Sequence, residues 1–234
     1  MKILAVDTAT EACSAALYID GEIQERFQLA PRIHTQLVLP MIDELMADAG
    51  LRPQQLDGLA FGCGPGSFTG IRIATGIIQG IAYGADLPVV RVSTLAAISQ
   101  ACLQKTTHDT IFTAVDARMN EIYWAVYQRD AEGYAQLIGK EVVQPANEID
   151  ALGLSGYGIG SGWLSYEQIL KERLAEQLQG FDAEYLPHSR EIALLGAVGM
   201  QRGLDVSVGE AMPVYLRDKV AKTTAERVLS KKEV

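Results

Sequence analysis

One pattern occurs twice in the chain. Ala5-Val6-Asp7 returns 109 positions later as Ala114-Val115-Asp116, and the same offset carries Ala16-Leu17-Tyr18 onto Ala125-Val126-Tyr127. In both halves an apolar run ends on aspartate, a second apolar run and a turn follow, and a glycine-rich loop later enters a stretch of helical periodicity. A whole order of parts recurring at long period marks a duplicated supersecondary unit. Strand-like runs alternating with helical ones mean an α/β fold. The expected architecture is two related α/β lobes with a seam near residues 104–109: a first lobe at 1–106, a smaller second lobe at 107–216 and a basic tail at 217–234.

Residues 3–6, 13–19 and 22–29 read as strands, with Asp20-Gly21 as a hairpin turn. Residues 36–49 carry apolar side chains at helical spacing; Pro40 is expected to delay or kink the first turn, and Gly50 to cap the end. A short buried strand at 59–61, a helix at 71–85, a strand at 87–92 and a Ser93-capped helix to about 104 complete the first half. In the second half, 111–115 and 121–128 pair as a hairpin, Gly133 marks a turn, 155–162 is a glycine loop, and helices are expected at about 163–179 and 189–201.

The 234 residues, 48% hydrophobic, suffice for a real core. No apolar run reaches the roughly 18–20 residues of a membrane span. The opening MKILAVDTAT reads as a buried strand, not a signal peptide. Cys13, Cys63 and Cys102 lack metal spacing and suit a reducing cytoplasm. A net charge of −9 argues against bulk attraction to a phosphate backbone. The charge is uneven: residues 217–234 hold six basic and three acidic groups, a tail of +3 on a body of −12. Such a tail can contact RNA or an acidic partner, or be a solvated terminus.

Two motifs carry possible chemistry. Asp7 and Thr8 end a buried strand, where α/β lobes place ligand groups. The aspartate can hold a metal through water, or it can bond the amides of its own turn. Gly64-Pro65-Gly66-Ser67-Phe68-Thr69-Gly70-Ile71-Arg72 then joins a strand to a helix. Its free N–H groups and helix start offer an anion site, or Ser67 or Thr69 simply caps the helix. It is neither a P-loop nor a dinucleotide fingerprint. His34, His108 and His188 form no helical metal pair, and no nucleophile elbow is present.

The opening ILAVDTAT, the run from His34 to Met41, the glycine motif from Gly64 to Arg72, Pro88-Val89-Val90 with Ser93-Thr94-Leu95, and the ending Pro213-Val214-Tyr215-Leu216-Arg217 together resemble the TsaB (YeaZ) family. The resemblance implies a two-lobed actin/Hsp70/sugar-kinase-like (ASKHA) fold with duplicated lobes. It places the chain in the superfamily of TsaD, which transfers threonylcarbamoyl to adenosine 37 of ANN-decoding tRNAs (t6A). It implies no enzyme in its own right but an inactive paralogue, a cytoplasmic scaffold that forms a heterodimer with TsaD and a homodimer in isolation. The TsaE ATPase joins the heterodimer in a ternary complex, and tRNA is met through that complex. TsaD-like chains carry His-x-x-x-His at the start of the helix where this chain has Thr94 and Ile98. A methyl-bearing hydroxyl and a hydrocarbon do not replace imidazoles on a transition metal, so no metal and no cofactor of its own are expected. Nucleotide is expected only at or near the TsaD interface, with Asp7, Thr8, Gly64, Gly66, Ser67, Phe68, Thr69, Gly70 and Arg72 as loop candidates.

Partner-interface candidates are His34, Leu37, Val38, Met41, Leu45 and Met46 on the first helix and the row Gly76, Gly80, Gly84 on the second. Glycines four apart let backbones approach closely, so two helices from each of two chains can pack as a bundle. The same faces can instead bury against their own lobe. A different class of function is an actin-fold ATP-dependent kinase or ATPase acting alone, with Asp7 and the glycine loop on Mg–ATP and Asp116 as base.

Overall fold

The computed structural model describes residues 1–29 and 31–217, so of the basic tail only Arg217 falls within the described residues. The first sheet contains β1 (Lys2–Asp7), β2 (Ala12–Ile19), β3 (Glu22–Leu29), β4 (Gly58–Gly62) and β5 (Val89–Val92), in the order β3-β2-β1-β4-β5. The second contains β6 (Thr110–Arg118), β7 (Glu121–Arg129), β8 (Ala135–Pro145), β9 (Gly156–Ile159) and β10 (Leu178–Asp182), in the order β10-β9-β6-β7-β8. Read from its other edge, the second sheet has the topology of the first. Three strands run antiparallel, and two more continue in parallel beyond the leading strand. The helices are α1 (His34–Asp48), α2 (Phe68–Ala85), α3 (Thr94–Lys105), α4 (Gly162–Ser165), α5 (Glu167–Leu174) and α6 (Ser189–Gln201). This is the duplicated two-lobed actin-like α/β architecture.

Burial explains the strand patterns. β4 is buried at every position and β1 at all but its first, because helices cover both faces of the sheet and, Lys2 and Asp7 at the ends of β1 apart, the strands carry only apolar residues and glycine. β3 is the edge strand and is largely polar, as a solvent-facing edge requires. Its Arg26 pairs with Glu44 and Asp48 of α1. Asp20 and Gly21 both have positive φ (48° and 104°), which closes the β2–β3 hairpin as a primed turn.

The helices at the seam are exchanged. Ile192, Ala193 and Ala197 of α6 pack on Ile3, Ala5, Ala60 and Val90 of the first sheet. Leu95, Ile98 and Cys102 of α3 pack on Ile111, Val115, Ala125 and Tyr127 of the second. A cut at 106/107 therefore separates the sheets but not the packing, since residues 189–214 return to the first lobe. The last described segment straps the lobes together. The Gln79 amide donates to the Ala211 carbonyl (3.0 Å) and the Val214 N–H to the Cys63 carbonyl (2.8 Å). Arg217 then pairs with Glu121 at the β6–β7 turn.

Three local expectations are corrected. The helix expected at 163–179 is broken at Tyr166 and stops at Leu174, and 178–182 forms the edge strand β10. Phe181 there stacks on Trp163 (ring centroids 5.4 Å apart), a core contact that overrides helical spacing. The glycine loop at 155–162 contributes β9, where Gly158 is required because a Cβ would lie 2.3 Å from the Trp163 ring.

The apolar stripe of α1 is the third correction. Val38, Met41, Leu45 and Met46 are buried within the first lobe beside Leu4, Leu17 and Phe61, with Leu37 partly buried against the same core. They are not free for a partner. Pro40 lies inside α1, which begins two residues earlier than expected despite it. Leu45→Glu is expected to abolish cooperative folding, because it buries an unpaired carboxylate at a position with no exposure. Leu39→Glu, at 50% exposure, should shift a urea midpoint little. A stable, cooperatively unfolding Leu45→Glu variant would show that the stripe faces outward.

Candidate functional site

The glycine loop is built by backbone packing. Ser67 N–H donates to the Ala9 carbonyl (2.7 Å) and the Thr8 hydroxyl to the Gly70 carbonyl (2.7 Å), fastening the start of α2 to the end of β1. The backbones come so close that a Cβ at Gly70 would lie 1.9 Å from the Thr8 oxygen, and one at Gly66 2.5 Å from the Ala9 oxygen. Gly64 has φ +106° and Val214 lies against it. Ser67 is the N-cap of α2, its hydroxyl accepting from Gly70 N–H (3.3 Å). The loop candidates thus divide. Thr8 and Gly64 serve the packing, Gly66 and Ser67 line a cleft between the lobes, and Thr69 and Gly70 line a neighbouring recess with Arg32 and His34.

Asp7 does not join them. It is fully buried, its Oδ1 accepts from Ala9 N–H (3.1 Å), and Oδ2 has no hydrogen-bond partner among the described residues. A Cβ on Gly62 would lie 1.9 Å from Oδ2 and 3.2 Å from Ile192, which places that oxygen beneath α6 and away from the cleft. Burial raises its pKa to about 7, only partly opposed by the Ala9 hydrogen bond and by His188. Of the two roles the sequence left open for Asp7, the hydrogen bond to Ala9 N–H is the turn-bonding one, and the side chain has no exposure to the cleft.

The interlobe cleft holds about 480 Å³. Thr10, Glu11, Arg32 and Ser67 face it from the first lobe, and Asp116, Arg118 and Ser161 from the second. Asp116 pairs with Arg118 (3.1 Å) and accepts from its N–H (2.8 Å), while Ser161 Oγ accepts from the Asp116 N–H (3.2 Å). His34 is nearly buried and donates Nε2–H to the Thr10 carbonyl (2.9 Å), so it ties α1 to the loop after β1. Arg32 and Glu11 belong to no motif, and Ser161 is visible only as part of the 155–162 glycine loop; they line one cleft because three loops far apart in the chain converge.

The second face is α2 itself. Gly76, Gly80 and Gly84 are exposed, and a Cβ built on any of them meets nothing within 4 Å. Ala74, Ile78 and Ala82 bury the opposite side in the first-lobe core. The helix therefore presents a groove bare of side chains along its i, i+4 row, a geometry that lets another helix lie close. Phe68 and Arg72 continue that row towards the helix start.

The three cysteine thiols are sequestered. Burial pushes the thiols of Cys13 and Cys102 up to about 11 and that of Cys63 up to about 12, which keeps them un-ionised. Thr94 is fully buried and Ile98 lies in the core under α3. Near them, the Ser93 and Tyr127 hydroxyls donate to Glu141, whose carboxyl is raised by burial. No group of three His, Cys, Asp or Glu side chains among the described residues is placed to hold a metal.

The chain matches the family model described as TsaD, tRNA N6-adenosine threonylcarbamoyltransferase, over residues 28–225. It is 40% identical over 228 residues to the tRNA threonylcarbamoyladenosine biosynthesis protein TsaB of Escherichia coli, covering 94% of this chain and 96% of the relative. It is 39% identical to the TsaB of Haemophilus influenzae, covering 94% and 95%. The solved structure of YeaZ from Pseudomonas aeruginosa superposes with a TM-score of 0.85 at 38% identity, over 92% of this chain and 99% of that one.

Proposed function

Because the chain belongs to the TsaB family of tRNA threonylcarbamoyladenosine biosynthesis proteins, within the wider TsaD family, we propose that it is a non-catalytic scaffold and activator of a TsaD subunit. The carrying observation is the open groove of Gly76, Gly80 and Gly84 on an otherwise well-packed lobe. A TsaD subunit of the same ancestry lays a helix along it. In the absence of TsaD, a second copy takes that place and the chain is a homodimer. TsaE joins the heterodimer, and tRNA is met through the assembly, in the cytoplasm. The chain needs no metal or cofactor; nucleotide belongs at or near the TsaD interface.

The buried Thr94 and Ile98 support the absence of transferase chemistry, since neither presents a metal-binding atom at the surface. A lone ATPase or kinase of this fold needs a first-lobe carboxylate in the cleft, and Asp7 lies under α6 instead. Mixing the purified chain with a TsaD subunit at micromolar concentration should give a heterodimer on gel filtration and raise threonylcarbamoyl transfer to tRNA. No complex with or without nucleotide, or transfer by this chain with no other transferase present, overturns the scaffold role.

A further inference from the structure

We propose that Phe68, Arg72 and Tyr215 form a stacking platform for an unpaired base of single-stranded RNA. The proposal rests on the role in a tRNA-modifying assembly and assigns a direct RNA contact to this chain. The Arg72 guanidinium carbon lies 3.2 Å from the centroid of Phe68 and 5.1 Å from that of Tyr215, and the two rings are 5.9 Å apart. Phe68 is 53% and Tyr215 43% exposed. Arg72 is exposed and forms no ion pair among the described residues; its one hydrogen bond is a long contact to the Phe68 carbonyl (3.4 Å).

Phe68 and Arg72 come from the first turns of α2, and Tyr215 is delivered by the strap that bonds Val214 to Cys63. Unstacked RNA bases are held on aromatic rings and on guanidinium planes, and this cluster offers both. Its cation is held on rings instead of being neutralised by a carboxylate, so it keeps its charge for a polyanion. Two residues past Tyr215 the sequence turns basic, with six Lys/Arg against three acidic groups at 217–234. Elsewhere the chain carries −12, which repels phosphate and confines RNA to this end. Phe68 is twelve residues from Gly80, about 18 Å along the helix at 1.5 Å per residue. Arg72, however, is four residues from Gly76, about 6 Å along the helix, so the platform adjoins the near end of the groove, and a partner helix on Gly80 and Gly84 leaves the Phe68 end for the base.

The test titrates the full chain into fluorescein-labelled twelve-nucleotide oligoadenylate, read by anisotropy over a salt series, alongside gel filtration with a TsaD subunit. Wild-type binding should weaken as salt rises. Arg72→Ala and Tyr215→Ala should each weaken binding on the order of tenfold with melting temperature unchanged, and Tyr215→Phe should retain it. Equal affinities across these variants, or no binding by the wild type, overturn the platform. Variants that impair TsaD assembly while leaving RNA affinity unchanged overturn it too, and make the patch a protein contact. Failure of the wild type to assemble with TsaD refutes the scaffold role but leaves the anisotropy result to judge the platform.

Discussion

Gly70→Ala is expected to cost about 3 kcal/mol or more of folding stability, whereas Gly80→Ala, on the same helix, is expected to add up to about 1 kcal/mol. At Gly70 the new Cβ would sit 1.9 Å from the Thr8 carbonyl oxygen, and the neighbour is buried backbone directly after β1, not the end of a flexible side chain, so it cannot turn aside. Separating α2 from β1 would also break the Thr8–Gly70 hydrogen bond. At Gly80 the Cβ enters open space, and replacing glycine in a helix interior removes an entropic penalty. Thermal melts should move in opposite directions, down by roughly 6–12 °C for Gly70→Ala and up by roughly 2–4 °C for Gly80→Ala. The gain at Gly80 should come with weaker docking to the TsaD subunit, because the methyl fills the groove. A Gly80→Ala chain that assembles as tightly as the wild type would remove the glycine row from the interface.

The contrast also shows what a sequence can and cannot disclose. Gly62, Gly64, Gly66 and Gly70 resemble Gly76, Gly80 and Gly84 in composition, yet the first group is packed against backbone, side chain or strap and the second faces open space. Spacing alone does not distinguish them, since the contacts of the first group come from β1 and from Val214, far away in the chain. The duplication was legible, because order of parts survives sequence drift. Its residue-level register was not. The offset of 109 keeps Ala16 and Ala125 on the side facing the exchanged helices, but it carries Ala5, which faces α6, onto Ala114, which faces the opposite core. Alternation along a strand has period two, so this odd slip turns every matched residue of β6 over. Asp7 therefore goes under α6, while Asp116 reaches the cleft.

The stripe on α1 was misassigned for a related reason. Helical periodicity identifies an apolar face but not what covers it, and Leu17, Phe61 and their neighbours cover this one. The exchange of α3 and α6 was hidden because both are apolar on most sides, and nothing local says which sheet each will cover. Tyr215 and Arg72 lie too far apart in sequence for any motif to join them, although both belong to runs that carry the family resemblance.

Asp7→Asn is expected to stabilise the protein at alkaline pH and to change little near pH 4. Burial raises the folded-state pKa of Asp7 from 3.8 to about 7. Below 3.8 the carboxyl is protonated whether the chain is folded or not. Between 3.8 and 7 the unfolded chain releases the proton while the folded chain retains it, so stability falls as pH rises through that window and levels off above it. At about 1.4 kcal/mol per pKa unit the loss is on the order of 4 kcal/mol. Asparagine keeps the acceptor for the Ala9 N–H and cannot ionise, so its own profile lacks this slope. All other ionisable groups are common to both proteins, which is why the difference between the two profiles is the informative quantity. Urea unfolding at pH 4.5, 6.5 and 8.5 should show the variant gaining on the wild type at each step. A constant difference across the series would mean that Asp7 ionises normally in the folded state and has a solvated or paired environment unlike the one described.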